Sequence, residues 1–173
     1  MNRTYVAYDA TGMVDHVNSN LHSFQQMQVW QRNQPGRFSF LNMDAIDFSS
    51  EHDDWLDTTL KRQLLDVMQE ADNLLVLASP VINVASPILN WQISRGVNRF
   101  HLPVVVAYAG LDRVDEGVVR KYWTWLPEKV RKYIARDSAY IAHIPFTQDK
   151  LERALKAYSV RDRLYPWHSV TIF

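Results

Sequence analysis

Apolar residues recur along this chain at two different spacings, and the changes of spacing mark its elements. Residues 3–8, RTYVAY, alternate and are rich in β-formers, predicting a first strand that Asp9 closes. Beyond Met13 the period lengthens. Val14, Val17, Leu21, Phe24 and Met27 recur at helical spacing until Asn33-Gln34-Pro35-Gly36 stops the helix. Residues 38–41, FSFL, read as a second short strand. Leu56, Leu60, Leu64, Val67 and Ala71 mark the buried side of a second helix, and residues 73–78, NLLVLA, form a third strand. That strand is apolar throughout, as a strand covered on both faces should be.

The second half repeats the alternation. Leu89, Ile93 and Val97 predict a third helix, weakened in its middle by Gly96. Residues 103–107, PVVVA, predict the fourth strand, and 110–117 a charged loop. Residues 118–134 have helical composition, divided by Pro127, which restarts a helix at its first turn. Residues 139–144, AYIAHI, are a fifth strand, and Thr147 caps a last helix whose inward face is Leu151, Ala154, Leu155 and Tyr158. The aromatic tail, 160–173, contains Pro166 and is expected to pack over the body as a C-terminal extension of one domain spanning 1–173.

Five strands alternating with helices imply an α/β fold: a flavodoxin-like parallel sheet with helices on both faces. The expected strand order is 2-1-3-4-5, with its switch point between strands one and three. Residues 8–12 and 79–91 then flank one crevice at the carboxyl edge of the sheet, where open α/β sheets bind ligands.

Composition narrows the chemistry. With 173 residues the chain is long enough to bury a core unaided. It has no cysteine, which excludes disulfides and thiolate metal sites. Lys plus Arg equals Asp plus Glu at 19 each, so no global field draws the chain to nucleic acid or an acidic membrane. The start, MNRTYVAYDA, lacks signal-peptide features, and no apolar run reaches membrane-spanning length, so a soluble cytoplasmic protein is expected. His16, His22, His52, His101, His143 and His168 show no HxxxH or HExxH spacing, which argues against metal. Trp123 and Trp125 beside Lys121, Lys129, Arg131 and Lys132 suit an amphipathic helix with snorkelling lysines better than a nucleic-acid surface. Asp53, Asp54 and Asp57 precede the second helix, where acidic residues complement the macrodipole.

Fold alone does not choose a function. A response regulator needs an aspartate after strand three and a lysine after strand five, where this chain has Ala78-Ser79 and Pro145. Neither GxxxxGK[ST] nor GxGxxG occurs, and Ser79-Pro80 lacks the GxSxG elbow of a serine hydrolase. A nucleoside deoxyribosyltransferase-like enzyme shares the architecture, but no carboxylate nucleophile is marked.

The stretches RTYVAYD, FSFLNMDAIDFSS, LKRQLLDVMQEADNLLVLAS and NWQISRGVNRFHLPVVVAYAG, in this order, resemble the TIR-like domains of bacterial antiphage systems of the Thoeris type. The resemblance covers roughly the first two-thirds of the chain. It implies a domain that binds NAD or a related nucleotide near the switch point. Active members cleave the nicotinamide glycosidic bond, and some make a cyclic ADP-ribose-type signal for a separate effector. It also implies nucleotide contacts at Tyr8, Asp9, Asp44, Asp47, Ser79 and Trp91, and a homo-oligomer through TIR-type surfaces. In the family an aromatic-Glu-Ile pattern early in helix three supplies the carboxylate that offsets a positively charged ribose-like transition state.

Here that tripeptide is Trp91-Gln92-Ile93, and Pro87-Ile88-Leu89 stands where the family has an upstream tryptophan. Glutamine can hold a ribose hydroxyl but carries no charge. Three expectations follow for position 92: another carboxylate (Asp9, Asp44, Asp47 or Glu51) has taken over, the alignment is off by a turn, or the domain binds without turnover and serves as an interaction module.

Overall fold

The computed structural model describes residues 1–9, 21–41, 58–162, 166 and 168–173. In chain order they form β1 (Thr4–Ala7), α1 (Leu21–Asn33), α2 (Thr58–Gln69), β2 (Asn73–Ala78), α3 (Pro87–Asn98) and β3 (Val104–Tyr108). There follow α4 (Glu116–Lys121), a 3-10 turn (Trp123–Trp125), α5 (Glu128–Arg136), β4 (Ile141–Pro145), α6 (Gln148–Ala157) and β5 (Thr171–Ile172). The strands make one all-parallel sheet in the order β1-β2-β3-β4-β5.

Side-chain alternation along each strand divides the interior into two cores. Tyr5, Leu74, Val76, Val104, Val106 and Ile141 meet Leu64 of α2, Leu89 and Ile93 of α3, and Val130 of α5. Val6, Leu75, Leu77, Val105 and Ile144 meet Phe24 and Met27 of α1 and Leu151 and Leu155 of α6. Both faces of β2 and β3 are therefore dry, which is why their sequences read as unbroken apolar runs. Each fully buried Leu, Val or Ile contributes roughly 1.5–3 kcal/mol by leaving water. Gly96, the weak point expected in the third helix, lies where α3 approaches β2: a Cβ there would stand 3.1 Å from Leu74 Cδ2.

The α/β class and helices on both faces agree with the sequence expectation, but the strand order differs from 2-1-3-4-5. Residues 38–41, expected as the second strand, contribute only isolated parallel bridges, Thr4↔Phe40 beside β1 and Pro35↔Phe38. Thr4 N–H donates to Ser39 O at 2.7 Å and Leu41 N–H donates to Thr4 O at 2.9 Å. Phe40 N–H turns instead to Oε1 of Gln31 in α1 at 2.6 Å, so a side chain saturates what would have been an outward ladder position. At the opposite edge the tail adds β5, which the sequence expectation left as a packing extension.

Elsewhere the expected elements recur with adjusted ends. The helix expected from Met13 is described from Leu21, and residues 13–20 lie outside the described residues. Asp53, Asp54 and Asp57 also lie outside them. Pro127 does divide the 118–134 region, with the 3-10 turn before it. Thr147 occupies the N-cap position of α6 but makes no side-chain cap bond.

At the amino edge, Asp72 is 3% exposed and joins three segments. Its carboxylate accepts from Arg3 N–H and from Arg161 Nε, at 2.7 and 2.6 Å, while its carbonyl accepts from Val160 N–H at 2.9 Å. Asn73 Nδ2 beside it donates to Leu155 O and Tyr158 O, both at 2.8 Å, satisfying carbonyls at the end of α6.

Candidate functional site

The carboxyl ends of β1 and β2 open onto the loop 79–86, which α3 follows. Ser86 is the N-cap of α3: its Oγ accepts from Leu89 N–H at 3.2 Å, and Pro87 takes the first helical position, where no N–H is needed. Asn90 then fixes the loop from the helix side. Its Nδ2 donates to Val84 O and Ser86 O, both at 2.9 Å. Its Oδ1 accepts from Lys129 N–H at 2.8 Å, at the start of α5, whose own N-cap is Pro127 and offers no side-chain acceptor. Glu128 N–H adds a bond to Val84 O at 3.1 Å. The loop is thereby tied to two helix N-termini.

Gln92 lies one turn into α3 and is 2% exposed. Nε2 donates to Tyr8 O at 2.7 Å and to Ile88 O at 3.2 Å. Oε1 accepts from the phenol of Tyr5 at 2.8 Å. Tyr8 O can only accept, which fixes the orientation of the amide. Both amide hydrogens and the better acceptor direction are spent on β1 and α3. The side chain is a buried clamp between the strand end and the helix, and burial pushes the Tyr5 phenol well above its ordinary pKa, so it remains a donor.

The other expected contacts take up different positions. Tyr8 supplies its carbonyl to Gln92, while its ring lies in the α1 core, edge-on to Phe24 at 5.7 Å. Burial raises its phenol pKa as well. Ser79 is 3% exposed at the end of β2, and Asp9 is half-buried at the end of β1. Trp91, next to Gln92 but around the helix, faces α2: Lys61 Nζ and the Arg95 guanidinium each lie 5.8 Å from its ring centre. Asp44, Asp47 and Glu51 lie outside the described residues. The fold thus brings Tyr8 and Gln92 together directly, through a backbone atom of one and the side chain of the other.

Two features were not singled out by sequence reasoning. His143 is fully buried in β4, its Nε2 3.0 Å from Ser169 O and its Nδ1 3.1 Å from the Tyr108 phenol oxygen. Burial lowers its pKa to about 4, against a smaller opposing effect of the Ser169 bond. A histidine inside an otherwise apolar strand, AYIAHI, was the available signal. The second is a recess of about 200 Å³ at the carboxyl edge of β3 and β4, lined by Asp112, Arg113, Val114, Lys150, Ile172 and Phe173. Its polar residues are scattered along the sequence, so no local pattern announces it.

Among the described residues no group of three or more His, Asp or Glu has the arrangement of a metal site, and no helix is long and apolar enough to cross a membrane. Neither models of known protein families nor curated proteins yield a match to this chain.

Proposed function

We propose that this chain is a cytoplasmic TIR-like domain of bacterial antiphage defence whose crevice binds NAD or a related nucleotide without cleaving it through position 92. One observation carries the proposal: the Gln92 amide is buried and fully engaged by Tyr5, Tyr8 and Ile88. A neutral group already bonded to the fold cannot offset a developing oxocarbenium charge, nor can it reach a ribose hydroxyl without abandoning the β1 carbonyl. The ligand-facing groups are Asp9 and the 79–86 loop, with Asp44 and Asp47 as the further carboxylates that the resemblance implies. The partners in this reading are the nucleotide, further copies of the chain and a separate effector.

The test is calorimetric titration of the purified protein with NAD and ADP-ribose, beside an assay of nicotinamide release. Binding without release, weakened by Asp9→Asn at unchanged melting temperature, is the expected result. Nicotinamide release by the wild type, lost in Asp44→Ala, would overturn the silent reading and assign the charge to another carboxylate. Neither binding nor release would leave only an assembly module.

A further inference from the structure

The C-terminal residues 168–173 are held on the edge of the sheet by an unusually small ladder. β5 has two residues, registered as Ala142↔Thr171 and His143↔Ile172. Ile141 N–H donates to His168 O at 3.1 Å and Phe173 N–H to His143 O at 3.3 Å. Side-chain bonds supplement the ladder. Ser169 Oγ donates to Ala139 O at 2.8 Å and lies 3.2 Å from Tyr133 O, while Ser169 N–H donates to Asp137 Oδ1 at 2.8 Å. Lys150 Nζ donates to Phe173 O at 3.3 Å, and the Phe173 ring lies edge-on to Tyr158 at 6.0 Å. Ile172 and Phe173 form one wall of the recess over β3 and β4.

We propose that residues 168–173 are an acid-released strap, keyed by the buried imidazole of His143, that closes the carboxyl edge beside β4. The geometry sets the tautomer. Ser169 O can only accept, so Nε2 carries the hydrogen, and the bare Nδ1 accepts from the Tyr108 hydroxyl. A second proton on Nδ1 would meet that hydroxyl, which must turn from donor to acceptor and give up its own bond. No carboxylate among the described residues is bonded to the ring.

The groups that face it from the packed elements are the Tyr108 phenol of β3 and the carbonyl of Ser169. From α5 comes Tyr133, whose carbonyl holds Ser169, and from α4 the residue in this core is Val119. A charged imidazole in these surroundings must be hydrated to persist. The cheapest way to admit water is to lift the neighbouring element with the fewest ladder bonds, which is the strap.

His168 and Asp137, 3.6 Å apart on the other side of Ser169, work in opposition. The backbone N–H of Ser169 holds the Asp137 carboxyl below its ordinary range, so this anchor of the strap keeps its charge as pH falls.

The test is hydrogen exchange by NMR between pH 7.5 and 4, corrected for intrinsic rates. Protection at Ile141, Ser169 and Phe173 should fall at least tenfold on acidification, while Leu75 and Leu77 of β2 keep theirs. His143→Gln retains a donor and an acceptor but cannot charge, and should abolish the fall. Simultaneous loss at β2 and the strap, or no loss at either, overturns the proposal. If His143→Gln does not fold, the ring titration of wild-type His143 decides: a midpoint differing from that of strap protection also overturns it.

Discussion

The phenol of Tyr5 donates to Oε1 of Gln92 across 2.8 Å, joining the middle of β1 to a helix 87 residues further along the chain. With the second bond, from Gln92 Nε2 to Tyr8 O, one amide clamps two points of β1. Replacing Tyr5 by Phe removes one donor and leaves Oε1 buried with the long bond from Tyr8 N–H at 3.5 Å. A loss of about 1 kcal/mol is expected in urea denaturation.

Gln92→Glu does more than install a charge. The new carboxylate would face the Tyr8 carbonyl where an N–H now donates, in a site that is 2% exposed. Destabilisation of roughly 2–4 kcal/mol at pH 7 is expected. Desolvation raises the folded-state pKa of that carboxyl above its unfolded value of about 4.3, so the deficit relative to wild type should be small below that pH and grow as pH rises. Denaturation of both proteins at pH 5 and pH 8 checks it. A deficit independent of pH would show that the carboxyl reaches water.

Asn90→Ala should loosen the crevice loop without touching its exposed residues. The substitution orphans the Lys129 N–H at the start of α5 and leaves Val84 O with the Glu128 N–H as its remaining bond. A loss of about 1–2 kcal/mol in thermal melting is expected, comparable to removing a helix cap. Asn90→Asp keeps the acceptor for Lys129 N–H and should recover part of it.

Asp72→Ala removes the acceptor shared by Arg3 N–H and Arg161 Nε. The Arg161 side chain is half exposed and can rehydrate, so most of the cost comes from the buried backbone donor. About 1–3 kcal/mol is expected, with Asp72→Asn intermediate because one oxygen remains.

His143 contributes a pH dependence of definite sign. Its folded-state pKa, about 4, lies below the ordinary 6.5, so the unfolded chain binds the proton more readily. Stability is complete above pH 6.5 and is lost as pH falls toward 4. At about 1.4 kcal/mol per pH unit the ceiling is about 3 kcal/mol, reduced if the strap opens first. Denaturation midpoints of wild type and His143→Gln should separate as pH falls from 6.5 toward 4, the wild type losing stability that the glutamine variant keeps.

The sequence by itself determined the layers. Unbroken apolar runs at 73–78 and 103–107, spaced by helical periods, require a parallel sheet covered on both faces, because burial of one face or two is a local property of the pattern. It also located the loop between β2 and α3 and the helix restart at Pro127, since caps and breakers act over a few residues. Tertiary structure alone decided the sheet edges. FSFL makes only isolated bridges while Gln31 takes the outward Phe40 N–H, and β5 lies where Ser169 O meets the His143 ring. It decided Gln92 as well. A sequence specifies that an amide stands at that position, but hydrogen bonds are made in space, and only the approach of β1 to α3 engages that amide with Tyr5 and Tyr8.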